Sequence, residues 1–140
     1  MVDTNILLGQ MLGRRSEALF LAIVTARTVV MTARTAAEMH GVLRGRTARI
    51  PRADAQPREL PVQLPIIPER IYLGRLAAAR EVLRDAVASR NGSTGDAHLL
   101  ACGWVLDADL WTHDRDLAGT GWPSWSNANL VRALEAPQLR

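Results

Sequence analysis

Apolar positions along the chain alternate between short β-branched runs and longer stretches with a helical period. The runs at Val2, Thr28–Met31 and Leu110–Thr112 are typical of buried parallel strands, which are apolar on both faces. Apolar residues three and four positions apart predict helices over 16–26, 32–45, 69–90, 93–106 and 129–136, and another that begins near Thr4 or Asn5. Strands that alternate with helices predict an α/β fold with a parallel sheet covered on both faces.

A proline-rich stretch interrupts this pattern in the middle of the chain. Five prolines lie between Pro51 and Pro68, which excludes a helix over the stretch. Its first half predicts a loop, and its second half is compatible with an edge strand over 63–67, where proline is tolerated. The run Pro123–Ser126 predicts a last short strand.

Four acidic residues occur at or near the ends of these elements, where an α/β fold binds its ligands. Asp3 and Asp114 end or follow apolar strands, Asp96 opens a helix, and Glu38 lies on a helix. Strand carboxyl ends and helix amino ends meet along one edge of an open parallel sheet. Two ionised carboxylates about 4 Å apart repel by roughly 4 kcal/mol at an effective dielectric of about 20. A Mg²⁺ or Mn²⁺ ion would replace this repulsion with coordination, so the pattern predicts a site for a divalent cation and a phosphate.

Each of these acids also has a purely local explanation. Asp3, Asp96 and Asp114 suit helix caps or turns, and Thr35-Ala36-Ala37-Glu38 matches a capping box. If Thr32 is the cap instead, Glu38 moves to the second turn of its helix and is free to face the other acids. The sequence leaves both explanations of Glu38 open.

Length and composition indicate one ordinary domain over residues 1–140. A chain of this size can bury about two-thirds of its extended surface, and its 48% hydrophobic and 22% charged residues are typical of globular proteins. The longest apolar run, Ala18–Ala26, is too short to span a bilayer, so we expect no membrane association. The single cysteine, Cys102, excludes an internal disulfide and fits a reducing, cytoplasmic compartment.

All of the positive side chains are arginines, since the chain contains no lysine. Arginine binds phosphate through two parallel hydrogen bonds, which suits a nucleic-acid partner. GC-rich coding explains the overall excess of alanine and arginine equally well. The densest cluster and one arginine beside the last acid are the best candidates for nucleic-acid binding: Arg44, Arg46, Arg49, Arg52 and Arg115.

Four segments together resemble the acidic motifs of PIN-domain ribonucleases, especially VapC-like toxins. They are Val2-Asp3-Thr4-Asn5-Ile6-Leu7, the helical Glu38, Gly95-Asp96-Ala97-His98-Leu99-Leu100-Ala101-Cys102, and Leu110-Trp111-Thr112-His113-Asp114-Arg115-Asp116-Leu117. They occur in the family's order over nearly the whole chain. The first and last are the specific ones, and Glu38 matches mainly by position. Only Met1 and Val2 precede Asp3, so we expect a first strand with few ladder hydrogen bonds.

This resemblance implies a three-layer α/β/α sandwich around a short parallel sheet and endonucleolytic cleavage of RNA with Mg²⁺ or Mn²⁺. The metal would be held, directly or through water, by Asp3, Glu38, Asp96 and Asp114. The implied supporting groups are Asn5 and Thr112, with Asp116 as an outer acid. The resemblance further implies products with 5′-phosphate and 3′-hydroxyl ends, a homodimer that contacts through the second and third helices, and a small antitoxin whose tail enters the acidic cleft.

Other kinds of site fit the sequence less well. The histidines lack the spacing of a zinc site, and Cys102 lies in an apolar helix that favours a core position. The main functional alternative is a PIN-like module that binds RNA or a partner protein without cutting. The presence of all four acids argues against that alternative.

Overall fold

Short parallel strands and longer helices alternate along the chain in the structure, a computed structural model. It describes residues 1–12, 17–47, 59–86 and 94–136, without the side chains of 46 and 47. The helices are α1 Thr4–Leu12, α2 Glu17–Ala26, α3 Ala33–Thr47, α4 Leu76–Arg84, α5 Ala97–Leu106, α6 Arg115–Ala118 and α7 Asn127–Glu135. The strands are β1 Met31–Thr32, β2 Ile66–Ile67, β3 Leu110–Trp111 and β4 Ser124–Trp125.

The strands form two parallel pairs that the start of the chain joins. β1 pairs with β2, and β3 pairs with β4. Val2 lies between the pairs, because its N–H donates to Val30 O at 2.9 Å and it forms a parallel bridge with Trp111. The strand order is therefore β2, β1, Val2, β3, β4.

The strand segment around Val2 at the start of the chain is short, as expected, yet it is hydrogen-bonded on both sides. Trp111 N–H donates to Met1 O at 2.7 Å, and Asp3 N–H donates to Trp111 O at 3.0 Å. The amino group of Met1 also donates to Asp109 O at 2.8 Å. Asp3 therefore leaves the sheet from a strand whose backbone groups are paired.

Helices cover both faces of this sheet. Successive strand residues point to opposite faces, and Met1 and Leu110 pack into one hydrophobic cluster while Val2 and Trp111 pack into the other. The first cluster contains the buried faces of α4 and α5, and the second contains those of α1, α2 and α3. The predicted α/β/α fold is confirmed.

The helix predicted over 69–90 is shorter in the structure: it begins later and ends earlier than predicted. Residues Glu69–Ile71 and Leu73–Arg75 form two 3₁₀ turns, and the α-helix begins only at Leu76. Tyr72, between the turns, has φ −115° and ψ 2°, and its side chain is fully buried. The helical period breaks where this ring enters the core, and the neighbouring apolar residue Ile71 is left 44% exposed. At the other end Asp85 caps the helix, and residues 87–90 lie outside the described ranges.

The remaining boundaries differ by a few residues. The predicted edge strand and last strand shorten to β2 and β4, and α7 begins at Asn127 because Ser126 Oγ accepts from Asn129 N–H. Ser16 and Ser93, where two of the predicted helices begin, lie outside the described residues. Within the described ranges, no helix is both long enough and apolar enough to cross a membrane.

Candidate active site

Asp3 is buried at the carboxyl end of the first strand. Its side chain is only 3% exposed, and its Oδ2 accepts a 2.7 Å hydrogen bond from Thr112 Oγ1. Burial raises the pKa of Asp3, while hydrogen bonds from Thr112 and from the backbone of Asn5 and Thr4 act in the opposite direction. A nearby acid, Asp114, raises the pKa of Asp3 further. This carboxylate is thus held in one orientation in a region where its charge is unfavourable.

Thr112 links Asp3 to Asp114, because its hydroxyl oxygen also accepts from Asp114 N–H at 2.9 Å. Asp114 is the N-cap of α6, and its Oδ1 accepts from Asp116 N–H at 2.8 Å. One oxygen of Asp114 therefore has a local role, as the cap of α6. The cap fixes the carboxylate at the edge where Asp3 lies.

Asp96 occupies the N-cap position of α5 but makes no capping hydrogen bond with its side chain. Asp96 thus opens this helix, as the sequence predicts, one residue before the first helical residue Ala97. Its pKa is raised to about 7, first by burial and then by Asp3, Asp114 and Glu38, with a side-chain hydrogen bond to Asp114 included. The carboxyl group of Asp96 therefore faces the other three acids rather than its own helix.

Glu38 lies in the second turn of α3, because the cap of this helix is Thr32. Thr35 N–H donates to Thr32 Oγ1 at 2.9 Å, so the capping box that begins at Thr35 is not formed. Glu38 Oε2 accepts from Thr4 Oγ1 at 3.0 Å, and Oε1 accepts from Arg34 Nε at 3.1 Å. Thr4 lies on α1, directly after Asp3, so the two helices bring these two acids to the same edge.

His98 lies beneath Glu38 in the interior. Its side chain is 2% exposed, its Nδ1 lies 2.9 Å from Thr32 Oγ1, and its Nε2 lies 3.9 Å from Glu38 Oε1. Burial lowers the pKa of His98 to about 4, although Glu38 opposes the shift. The ring is therefore neutral at pH 7, and its Nε2 is buried without a hydrogen-bond partner.

The donor chemistry of the four acids fits a hard divalent cation, which prefers carboxylate oxygens. Their spacing does not form a ready-made site, since among the residues that the structure describes no three His, Cys, Asp or Glu side chains are grouped closely enough to hold a metal ion. Asp3, Asp114 and Glu38 nevertheless all contribute to the raised pKa of Asp96, so each of the three acts on it. Their metal-binding and catalytic roles stay predictions.

The predicted supporting residues differ in their contacts. Thr112 binds Asp3 directly, whereas Asn5 Nδ2 reaches Asp3 Oδ2 only at 3.5 Å. Asp116 contributes its backbone N–H to Asp114, so its role as an outer acid stays a prediction. Among the predicted nucleic-acid contacts Arg44 and Arg115 are exposed, while Arg49, Arg52 and the side chain of Arg46 lie outside what the structure describes.

Sequence reasoning missed Thr4 and His98 as part of this site. The sequence indicates Thr4 only as a possible start of the first helix, and the spacing of the histidines tests only for a zinc site. His98 is the one polar side chain in the buried segment Ala97–Gly103, which is the signal that could have identified it. Cys102, on the same helix, is fully buried, and burial raises the pKa of its thiol to about 11, so it is a core residue as expected.

A cavity of about 430 Å³ lies at the opposite edge of the sheet, near the amino ends of the strands. Its walls include Met1, Leu110 and Leu134, and its acids are Asp107 and Asp109. None of the four clustered acids lines it. The cavity and the acidic cluster are therefore separate features.

Comparison with known proteins assigns the family. A family model described as "PIN domain" matches residues 1–135, which include all four acids. Neither a curated protein nor a solved structure gives a significant match. The PIN domain is a nuclease-type fold. The chain belongs to the PIN-domain family.

Proposed function

We propose that the chain is a Mg²⁺- or Mn²⁺-dependent endoribonuclease that hydrolyses phosphodiester bonds in RNA at its acidic cluster. The observation that carries this proposal is the shared edge of the sheet, where the Thr112 hydroxyl contacts both Asp3 Oδ2 and Asp114 N–H, and Glu38 accepts from Thr4 next to Asp3. Burial and these three acids raise the pKa of Asp96 to about 7. Acids that do not share a site would not perturb one another in this way. The nuclease-type fold supports the same reaction class.

Within this proposal the chain positions the acids, and the cation supplies the chemistry. When bound, the cation would acidify a water molecule for in-line attack and offset charge on the phosphate. Thr112 orients Asp3, Thr4 and Arg34 hold Glu38, and Asp116 N–H fixes Asp114. The proton on Asp96 must leave before that carboxylate can act as a ligand.

The RNA would be bound through its phosphates by arginines around this edge. Arg34 contacts Glu38 and Arg115 follows Asp114, and both side chains are exposed. Two parallel hydrogen bonds from a guanidinium suit a phosphate better than a single ammonium does. Hydrolysis by water predicts 5′-phosphate and 3′-hydroxyl ends.

A finer part of the proposal is that this nuclease is the toxin of a type II toxin–antitoxin pair and acts as a homodimer. The resemblance to VapC-like toxins supports it. Leu21 on α2 and Val42 on α3 are 38% and 42% exposed, which suits contacts between copies through these helices. A small upstream reading frame for a DNA-binding protein is expected, and gel filtration that gives a monomer would argue against the dimer.

The test is cleavage of a labelled RNA by the wild type, Asp3→Asn and Asp96→Asn, with Mn²⁺ or with EDTA. Asp107→Asn is the matched control, since this acid is exposed at the opposite sheet edge and its φ of 48° suits asparagine. We expect cleavage only by the wild type and the control, and only with metal. Cleavage in EDTA, or by Asp96→Asn at the wild-type rate, would contradict the proposal. RNA binding without cleavage in Mn²⁺ would favour a non-catalytic module.

A further inference from the structure

The unpartnered Nε2 of His98 is an unusual feature of the interior beside the acidic cluster. Water cannot reach this nitrogen, and no protein group lies within hydrogen-bond distance of it. A buried polar atom without a partner costs about 1–3 kcal/mol. Its nearest ionic neighbour is Glu38 Oε1 at 3.9 Å, which is too long for a hydrogen bond.

The other nitrogen of the ring restricts where the proton can be. Nδ1 lies 2.9 Å from Thr32 Oγ1, and that hydroxyl also hydrogen-bonds Thr35 Oγ1 at 3.0 Å and accepts from Thr35 N–H. If Nδ1 carried the ring proton, the Nε2 lone pair would face the Glu38 carboxylate without any donor. If Nε2 carries it, the single Thr32 hydroxyl proton goes to Nδ1, and the Thr35 hydroxyl must then donate to Thr32 Oγ1. The Nε2–H then faces Glu38 Oε1 at 3.9 Å, a charge-complementary neighbour.

We propose that His98 is a positioning residue for Glu38, with its Nε2–H directed at the carboxylate and its Nδ1 accepting from the Thr32 hydroxyl. The Glu38 side chain is 38% exposed and is otherwise held by Thr4 and Arg34. A displacement of about 1 Å would bring Oε1 within hydrogen-bond distance of Nε2. His98 thereby limits the positions that Glu38 Oε1 can take, next to the helix whose N-cap is Asp96.

The consequence for metal binding rests on the proposed function. Groups that orient a metal ligand change metal affinity by about 10-fold to 100-fold when they are removed. Losing the donor at Nε2 would leave Glu38 Oε1 with Arg34 alone, whose side chain is 48% exposed, while Oε2 keeps its hydrogen bond from Thr4. We therefore expect weaker Mn²⁺ binding without loss of the fold.

Two variants of His98 distinguish the roles of the two ring nitrogens. His98→Gln places an amide donor the same number of bonds from Cβ as Nε2, whereas His98→Asn reproduces only the position of Nδ1. Isothermal titration with Mn²⁺ should give a dissociation constant near that of the wild type for His98→Gln and one about tenfold higher for His98→Asn. Equal dissociation constants for His98→Asn and the wild type, or equal weakening in both variants, would overturn the positioning role.

The tautomer of His98 can be tested in the metal-free wild type, so this test depends neither on metal binding nor on whether a variant folds. The ¹⁵N NMR spectrum of the metal-free wild type should show a protonated Nε2 and an unprotonated Nδ1 for His98. A protonated Nδ1 would overturn the proposal. A wild type that binds Mn²⁺ but cuts no RNA would refute the proposed function while the comparison of the two His98 variants stands.

Discussion

Thr112 Oγ1 donates a 2.7 Å hydrogen bond to Asp3 Oδ2, which joins residues 109 positions apart in the chain. The same oxygen accepts from Asp114 N–H. One buried hydroxyl, 4% exposed as part of Thr112, therefore fixes two of the four acids relative to each other. The carboxyl ends of the first strand and β3 meet at this point, so the fold itself provides the contact.

Replacement of Thr112 by valine should destabilise the protein by about 2 kcal/mol. The change removes a donor to a buried carboxylate and an acceptor for a backbone N–H, and each unsatisfied group costs about 1–3 kcal/mol. Urea unfolding of the metal-free protein measures the loss. Thr112→Ser is the control, because it keeps the hydroxyl. Equal stability of the valine variant and the wild type would show that the hydroxyl does not hold Asp3.

Replacement of Asp96 by asparagine should stabilise the metal-free protein at pH 8. The folded pKa of Asp96, about 7, exceeds its ordinary value of 3.8, so its contribution to stability is present below about pH 4 and is lost as pH rises through 7. The free energy of unfolding of the variant should therefore equal that of the wild type near pH 4. At pH 8 it should be larger by about 1 kcal/mol, a value reduced for solvent screening.

Thermal unfolding from pH 4 to pH 9 tests this difference. His98, whose lowered pKa gives the opposite slope with pH, titrates in both proteins, so the comparison isolates Asp96. A difference that does not change with pH would mean that Asp96 is not coupled to the other acids. Loss of cleavage together with a gain in stability is the pattern expected of a functional residue.

These sites show what the sequence could and could not predict. Asp3 and Asp114 were placed correctly because strand ends are visible as apolar runs followed by a polar residue. The position of Glu38 depended on whether Thr32 or Thr35 caps α3, a choice that local propensity leaves open. The break in helical period at Tyr72 and the contact of His98 with Thr32 arise from packing between elements distant in sequence. Local patterns do not contain that information.

Substitution of Gly103 by alanine should destabilise the protein by about 1–3 kcal/mol. A Cβ at this position would lie 3.0 Å from Ala108 O, 3.1 Å from Leu110 Cδ2 and 3.1 Å from Trp122 Nε1. The α5 helix could then no longer pack as closely against the start of β3. Chemical denaturation measures the effect.

Gly41→Ala is the matched control for this substitution. It also lies in a helix, α3, but its Cβ would meet nothing within 4 Å. The control should gain about 0.5–1 kcal/mol from the higher helix propensity of alanine. If Gly103→Ala were as stable as the control, the close contact of α5 with the start of β3 at Gly103 would be contradicted.

Replacement of Arg115 by alanine should weaken RNA binding and reduce its salt dependence. Removal of one phosphate contact lowers the slope of log K against log salt concentration by about 1. Fluorescence anisotropy in the Asp96→Asn background measures binding without cleavage. Arg132→Ala on α7, also an exposed arginine, should leave the slope unchanged. Equal slopes for Arg115→Ala in this background and for Asp96→Asn alone would show that Arg115 does not contact the RNA.

The central claim, that the four acids form one divalent-cation site, is tested most directly by calorimetric titration of Mn²⁺ at pH 7 and pH 9 in two buffers of different ionisation enthalpy. Because the pKa of Asp96 is about 7, Mn²⁺ should displace about half a proton at pH 7 and almost none at pH 9. Asp96→Asn should bind Mn²⁺ at least tenfold more weakly and release fewer protons at pH 7 than the wild type, whereas Asp107→Asn should match the wild type. Absence of Mn²⁺ binding by the wild type, or binding by Asp96→Asn with the same affinity and proton release, would contradict the claim.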